Sequence, residues 1–138
     1  MPRAPVPQDV SEFLARPNPA VVATVRPDGS PHTAATWYDW DGERVYLNMD
    51  HTRLRLRFMR RDGRVAVTVL DLEDWYRQVS LMGRIVRMQD DHDLAGIDRL
   101  SMRYRGAPYA TRDSARVGAW MAVDAWAGWD SSRGGLWA

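Results

Sequence analysis

The sequence contains no cysteine, no lysine and no long apolar run. Without cysteine there are no disulfides, no thiolate-ligated metals and no thiol nucleophile, a composition that suits a reducing cytoplasm. No stretch approaches the length that spans a bilayer, and MPRAPVPQDV has no apolar segment followed by a small-residue cleavage site, so a soluble, cytoplasmic protein without membrane attachment is expected. Formal net charge is +1, too small a field to draw the molecule onto nucleic acid. Missing too are a Walker motif, a GxGxxG turn and a Ser-His-Asp set, while His32, His51 and His92 do not fall at metal-ligand spacing, so neither a metal nor a catalytic side chain is expected. There is no internal repeat, low-complexity tract or linker, and 138 residues suit one domain with its own core.

What is present is skewed. All 19 basic residues are arginine, and 15 of the 18 acids are aspartate. Such a bias fits a GC-rich genome, so the placement of the arginines carries more information than their number. Seven tryptophans are many for this length; Trp120, Trp126, Trp129 and Trp137 crowd the C-terminal end, where large amphipathic rings suit a core, an interface or a pocket wall.

Gln8 to Ala15 places Val10, Phe13 and Leu14 on one helical face and is ended by Pro17–Asn18–Pro19. Val21 to Val25 is a β-branched run, Pro27–Asp28–Gly29 a turn, and His32 to Trp40 a returning strand. A second turn at Asp41–Gly42 leads into a strand from Arg44 to Met49, which makes a three-stranded antiparallel meander the expected arrangement. Asp50 is a candidate cap for a helix over Thr52 to Arg61, with Leu54, Phe58 and Met59 as its apolar side and Arg53, Arg57, Arg60 and Arg61 on another. Val65 to Leu70 is again strand, followed by an acidic corner, Asp71 to Asp74, and a long strand in which Gly83 marks a bulge or bend. Asp90 to Tyr104 has helical spacing, with Asp90, Asp91 and Asp93 near its positive end, and Arg116 to Trp129 is the last strand. Short strands with inserted helices predict a mainly β chain folded as a small antiparallel barrel of about six strands.

Arg53 and Arg55 carry the functional reading. Unpartnered N–H groups at a helix start attract anions, and two always-charged guanidinium forks there are suited to hold a phosphate. Thr33, Ala34, Ala35 and Thr36 are small residues in a strand, which packs tightly or lets a flat ring approach the backbone. Arg57, Arg60, Arg61 and Arg64 read as solvated partners of the many aspartates.

The segments VVATVRPDGSPHTAATWY, DGERVYLNM, TRLRLRFMRRDGRVAV and VSLMGRIVRM, in that order over roughly Ala20 to Met88, resemble the split-barrel flavin-binding proteins of the pyridoxamine-phosphate-oxidase-like superfamily. Within it they are most similar to the actinobacterial branch that uses the deazaflavin coenzyme F420. The resemblance implies a split β-barrel that forms a homodimer, with two equivalent cofactor sites between protomers. It implies a phosphate held by Thr52, Arg53 and Arg55, and a ring lying along Thr33, Ala34, Ala35, Thr36 and Trp37, with Met49 included in the cofactor set. The partner's Trp75, Arg77 and Gln78 would partly cover that ring. Asp50 and His51 depart from the serine or threonine common in relatives, and a carboxylate there must turn away from a phosphate to be tolerated. The implied activity is a reductase that passes a hydride from coenzyme F420 to a small conjugated substrate, with no general acid from the protein required. FMN as cofactor of the same fold, a non-catalytic flavin or tetrapyrrole carrier, and a cofactor-free dimer remain alternatives. The C-terminal WAGWDSSRGGLWA lacks the arginine- and histidine-bearing substrate segment of pyridoxamine-phosphate oxidases proper, so that substrate is not expected.

Overall fold

The β-branched run forms strand β1 (Ala20–Val25), in which buried Ala20, Val22 and Thr24 alternate with half-exposed neighbours as a one-sided sheet requires. In the computed structural model, which describes residues 1–137, β1 is followed by β2 (Pro31–Thr36), β3 (Asp39–Trp40), β4 (Arg44–Asp50), β5 (Arg64–Leu70), β6 (Gln78–Asp90), β7 (Arg116–Asp130) and β8 (Gly135–Leu136). Helix α1 (Gln8–Leu14) precedes β1, α2 (Leu54–Arg61) joins β4 to β5, and α3 (Ala95–Arg105) joins β6 to β7. The fold is mainly β, six longer strands and two of two residues, all antiparallel. No helix among the described residues is long and apolar enough to cross a membrane.

The sheet runs β2-β1-β5-β6-β7-β4-β3, with β8 on β7. Both expected hairpins form, β1–β2 and β3–β4, but they do not make one meander: β4 pairs with β3 and β7, not with β2. The single strand expected from His32 to Trp40 is broken at Trp37 and Tyr38 into β2 and β3, which stand at the two ends of the sheet. Three Cα steps from Thr36 to Asp39 reach at most roughly 11 Å, so the two ends must come together and the sheet curls into a split barrel. Tyr38 makes the crossing point: it is fully buried, and its hydroxyl donates to the Leu14 and Arg16 carbonyls at 2.7 and 2.9 Å.

Gly83 does mark a bend. The β6–β7 register shifts between Met82 and Gly83 and again between Ile85 and Arg87, and a Cβ at Gly83 would fall on the Ala122 carbonyl of β7. The core inside the curl contains Val22, Val45, Leu47, Val67, Leu81 and Met121 from the strands, with Phe13 and Leu14 of α1 and Trp126 and Trp137 of the C-terminal end. Of the other C-terminal tryptophans, Trp120 packs on Tyr46 and Trp129 is partly exposed.

Two helices differ from expectation. Helix α2 begins at Leu54 instead of Thr52 and buries Leu56 and Met59, three apart, while Leu54 is exposed; the β1 face selects the side that docks, and Phe58 meets His32 edge-on at its margin. Helix α3 begins at Ala95: β6 continues to Asp90, and Leu94 takes a left-handed conformation, φ 61°, that turns the chain into the helix. Its end is tied down by Arg103, which donates to the carbonyls of Tyr38, Leu14, Ala15 and Arg16 and so joins α3 to the C-terminus of α1.

Candidate anion and ring-binding cleft

Strand β4 ends at Asp50, and what that carboxylate does decides the local charge. It does not cap α2, whose N-cap is Arg53 with no side-chain cap. Instead it accepts from the Thr52 backbone N–H at 2.8 Å, from the Thr52 hydroxyl at 2.6 Å, and from the Ser114 hydroxyl. These hydrogen bonds, that from Ser114 first, hold the Asp50 carboxyl well below the usual carboxylate range. Its charge is thereby directed into the turn that presents Arg53.

Arg53 and the half-buried Arg55 open onto one cleft, joined there by Arg116 from the start of β7. Among the described residues none of these three guanidinium groups is paired with a carboxylate, although other arginines there form ten ion pairs. The Arg55 Nε is buried without a hydrogen-bond partner. Burial, and then the like charges of Arg53 and Arg116, push the Arg55 guanidinium below its ordinary value. A guanidinium does not neutralise under such pressure, so the group is held charged, partly dehydrated and short of an acceptor. An anion with several acceptor oxygens satisfies all three conditions, and a phosphate fits the donor set.

The rest of the cleft, about 800 Å³ in volume, is apolar and aromatic. Ala34, Ala35, Thr36 and Trp37 come from β2 and the residue after it, and Ile97, Leu100 and Tyr104 from α3. Trp37 stacks on Tyr104 with ring centres 5.4 Å apart and planes 6° from parallel, and Tyr109 meets Trp37 edge-on. The Tyr104 hydroxyl donates to the Asn18 carbonyl at 2.6 Å, which fixes this wall before any ligand arrives. Since β2 pairs only with β1 among the described residues, its outer edge carries backbone groups without sheet partners there, beside the small side chains. The cleft therefore offers fixed cations, backbone donors and acceptors, and flat walls.

Of the residues singled out in the sequence, Ala34, Ala35, Thr36, Trp37, Arg53 and Arg55 are brought together here. Thr33 lies on β2 opposite Ala23 and is exposed, and Thr52 lies outside the lining with its hydroxyl on Asp50. Met49 is fully buried in the core, because β4 alternates and its neighbour Asn48 is the one that reaches the cleft. Trp75 is exposed and stacked on Tyr76. Gln78 opens β6, and Arg77 packs within its own protomer on Phe13 and Trp137, near Asp130 and Asp71. The sequence reading missed Asn48, Tyr104, Tyr109 and Arg116. Asn48 was detectable, since an amide inside the apolar run Val45 to Met49 needs polar partners. Arg116 was not, because only β4–β7 pairing brings it beside that run.

A model of the pyridoxamine 5'-phosphate oxidase family matches residues 6–130. No curated protein matches the sequence significantly. Among solved structures, one described as an F420 reductase is 30% identical; the match covers 88% of this chain and 98% of that one, with a TM-score of 0.81. A conserved hypothetical protein from Mycobacterium tuberculosis is 26% identical, over 93% of this chain and 86% of that one, with a TM-score of 0.68. An FAD and heme binding protein from Mycobacterium smegmatis, 20% identical over 91% of this chain and 71% of that one, has a TM-score of 0.66 and shares the fold.

Proposed function

The chain belongs to the pyridoxamine 5'-phosphate oxidase family, and from that premise we propose that it is an oxidoreductase that uses the deazaflavin coenzyme F420 to reduce a small conjugated substrate. The observation that carries this reading is the set of acid-free arginines opening onto a cleft with flat walls, in a chain similar to an F420 reductase over most of its length. Arg53 and Arg55 would hold the phosphate, with Asp50 kept from competing by Thr52 and Ser114. Ala34 and Ala35 leave room for a ring against β2, whose free backbone edge offers hydrogen bonds to the ring's polar rim. Trp37 and Tyr104 would exclude water from its face. When bound, the coenzyme supplies a hydride; the protein's part is to bind, orient and dry the site, and no protonating side chain is required of it.

FMN is the second reading, favoured by the same arginines, since a phosphomonoester meets their demand for acceptors equally well. A tetrapyrrole is less favoured, because no histidine lines the cleft among the described residues. We further propose a homodimer. Leu72 lines the cleft yet is 74% exposed, close in sequence to the exposed Trp75–Tyr76 pair, and a second copy covering this apolar surface would close the cleft as well.

The test is a pair of titrations of the purified protein with coenzyme F420 and with FMN, followed by tryptophan quenching. Saturation by the deazaflavin and subsequent oxidation of its reduced form by an enone or quinone panel is the expected result. Preference for FMN would move the protein to the second reading, and binding without turnover across the panel would count against a reductase.

A further inference from the structure

Arg116 differs from the surface arginines in how completely its neighbours hold it. Its Nε donates to the Asn48 Oδ1 at 2.9 Å, and its guanidinium lies 4.8 Å from the centre of the Tyr109 ring. Asn48 is itself buried, 4% exposed, and its Nδ2 donates to the Asp91 carboxylate at 3.0 Å and to the Tyr46 hydroxyl at 2.9 Å. With both amide hydrogens committed, the amide oxygen has to face Arg116. Asp91 is the acid hydrogen-bonded into this chain of contacts, yet its two oxygens also accept the Gly96 and Ile97 N–H groups at the start of α3. Its charge serves that helix and Asn48. The terminal nitrogens of Arg116 have no acceptor among the described residues, and they stand in the cleft that Arg53 and Arg55 share. Tyr109 is fixed in turn, its N–H donating to Asp98 at 2.9 Å.

A guanidinium whose plane is set from one edge and one face loses little freedom when it meets a ligand. We propose that Arg116 is a third limb of the anion site, positioned by Asn48 and Tyr109, and that with Arg53 and Arg55 it makes the cleft selective for a ligand carrying two negative charges at its phosphate end. The charge count is the reason. Three guanidinium groups with no acid remain strongly cationic around a singly charged group, whereas a phosphomonoester, or a phosphodiester with a carboxylate beside it, offsets two of them and supplies oxygens enough for all three. This rests on the flavin-type reading for the nature of the ring, but the cradle itself is a property of the three arginines.

The experiment compares wild type with Arg116→Gln and Arg116→Lys, each first checked for an unchanged melting temperature, in titrations with FMN against riboflavin and with coenzyme F420 against its phosphate-free deazaflavin fragment. For whichever ring the protein accepts, Arg116→Gln should lose about ten- to a hundredfold in affinity for the phosphorylated ligand and about twofold or less for the phosphate-free one. Arg116→Lys, which keeps the charge but not the fork, should fall between. The FMN and F420 arms distinguish the monoester from the diester source. Equal losses for both members of a pair, or no loss, would overturn the proposal by assigning Arg116 to the fold or to solvent. Should wild type accept neither ring, the flavin-type reading fails by itself, and inorganic pyrophosphate then decides the cradle: binding that is lost in Arg116→Gln upholds it, and equal binding or none overturns it.

Discussion

The Arg77 guanidinium carbon lies 4.8 Å from the centre of the Trp137 ring. Phe13 offers a second face at 5.4 Å, and Asp130, 2% exposed, stands 3.7 Å from the Arg77 Nε. The cation therefore links the residue before β6 to α1, the end of β7 and the C-terminal tryptophan, an arrangement that stacks charge on aromatic faces and pairs it with a buried acid. Arg77→Ala should lower stability by about 2 kcal/mol, read by urea unfolding, because it leaves Asp130 buried with only Arg133 as a cationic neighbour. An unchanged midpoint would mean that Arg77 is not held in this protomer.

Arg55 and Arg61 sit on the same short helix, but only Arg55 reaches the cleft. Arg55→Ala should remove a charge-assisted interaction worth about 1.5–3 kcal/mol, one to two decades in cofactor affinity. Arg61→Ala should change it by less than about twofold, since an exposed charge is screened. Similar losses in both would show that general positive charge attracts the ligand.

Asp50 sets a pH dependence whose sign follows from its lowered pKa. Its hydrogen bonds favour the ionised form, so the stability it contributes is complete above the ordinary carboxylate value of about 4 and is lost as pH falls through the lower folded-state value. Asp50→Asn should cost about 1 kcal/mol at pH 7, and its deficit against wild type should narrow as the pH drops below about 4. Thermal melts at pH 7, 5 and 3 would check this; a constant deficit would show that the charge is irrelevant.

Gly83 is required by close approach of two backbones. Any Cβ there would fall on the Ala122 carbonyl across the ladder, and backbone on both sides leaves nothing flexible to yield. Gly83→Ala should destabilise by more than about 3 kcal/mol or prevent folding, measured by circular dichroism and denaturant unfolding. Gly106→Ala serves as the comparison, because it meets no neighbour and bears only the strain of φ 72° at the end of α3.

Much of this was legible along the chain because its causes are local. Alternation marks β1, Pro27–Asp28–Gly29 turns the chain into β2, and Val10, Phe13 and Leu14 at helical spacing bury as read. Arg53 and Arg55 stood out by position, and both do line the cleft. The errors share one origin. His32 to Trp40 reads as a continuous strand, and nothing in its own residues says that Tyr38 will be drawn into the core and the chain sent to the other edge of the sheet. On α2, likewise, Leu54, Phe58 and Met59 read as the apolar side, and the surface the helix docks on buries Leu56 and Met59.

By itself the sequence determined the elements, the absence of thiol chemistry and the arginines at the start of α2, since period, turn residues and composition act over a few neighbours. Only the tertiary structure decided where those arginines point, which third arginine joins them and where the acids go. Arg116 lies more than fifty residues along the chain from Asn48 and Arg55, and pairing of β4 with β7 places it beside them. Asp50, three residues before Arg53, and Asp91, hydrogen-bonded to Asn48, are drawn onto Thr52, Ser114, Asn48 and the start of α3. Charge balance across a cleft depends on which hydrogen bonds the folded chain completes elsewhere, and that is a property of the folded split barrel alone.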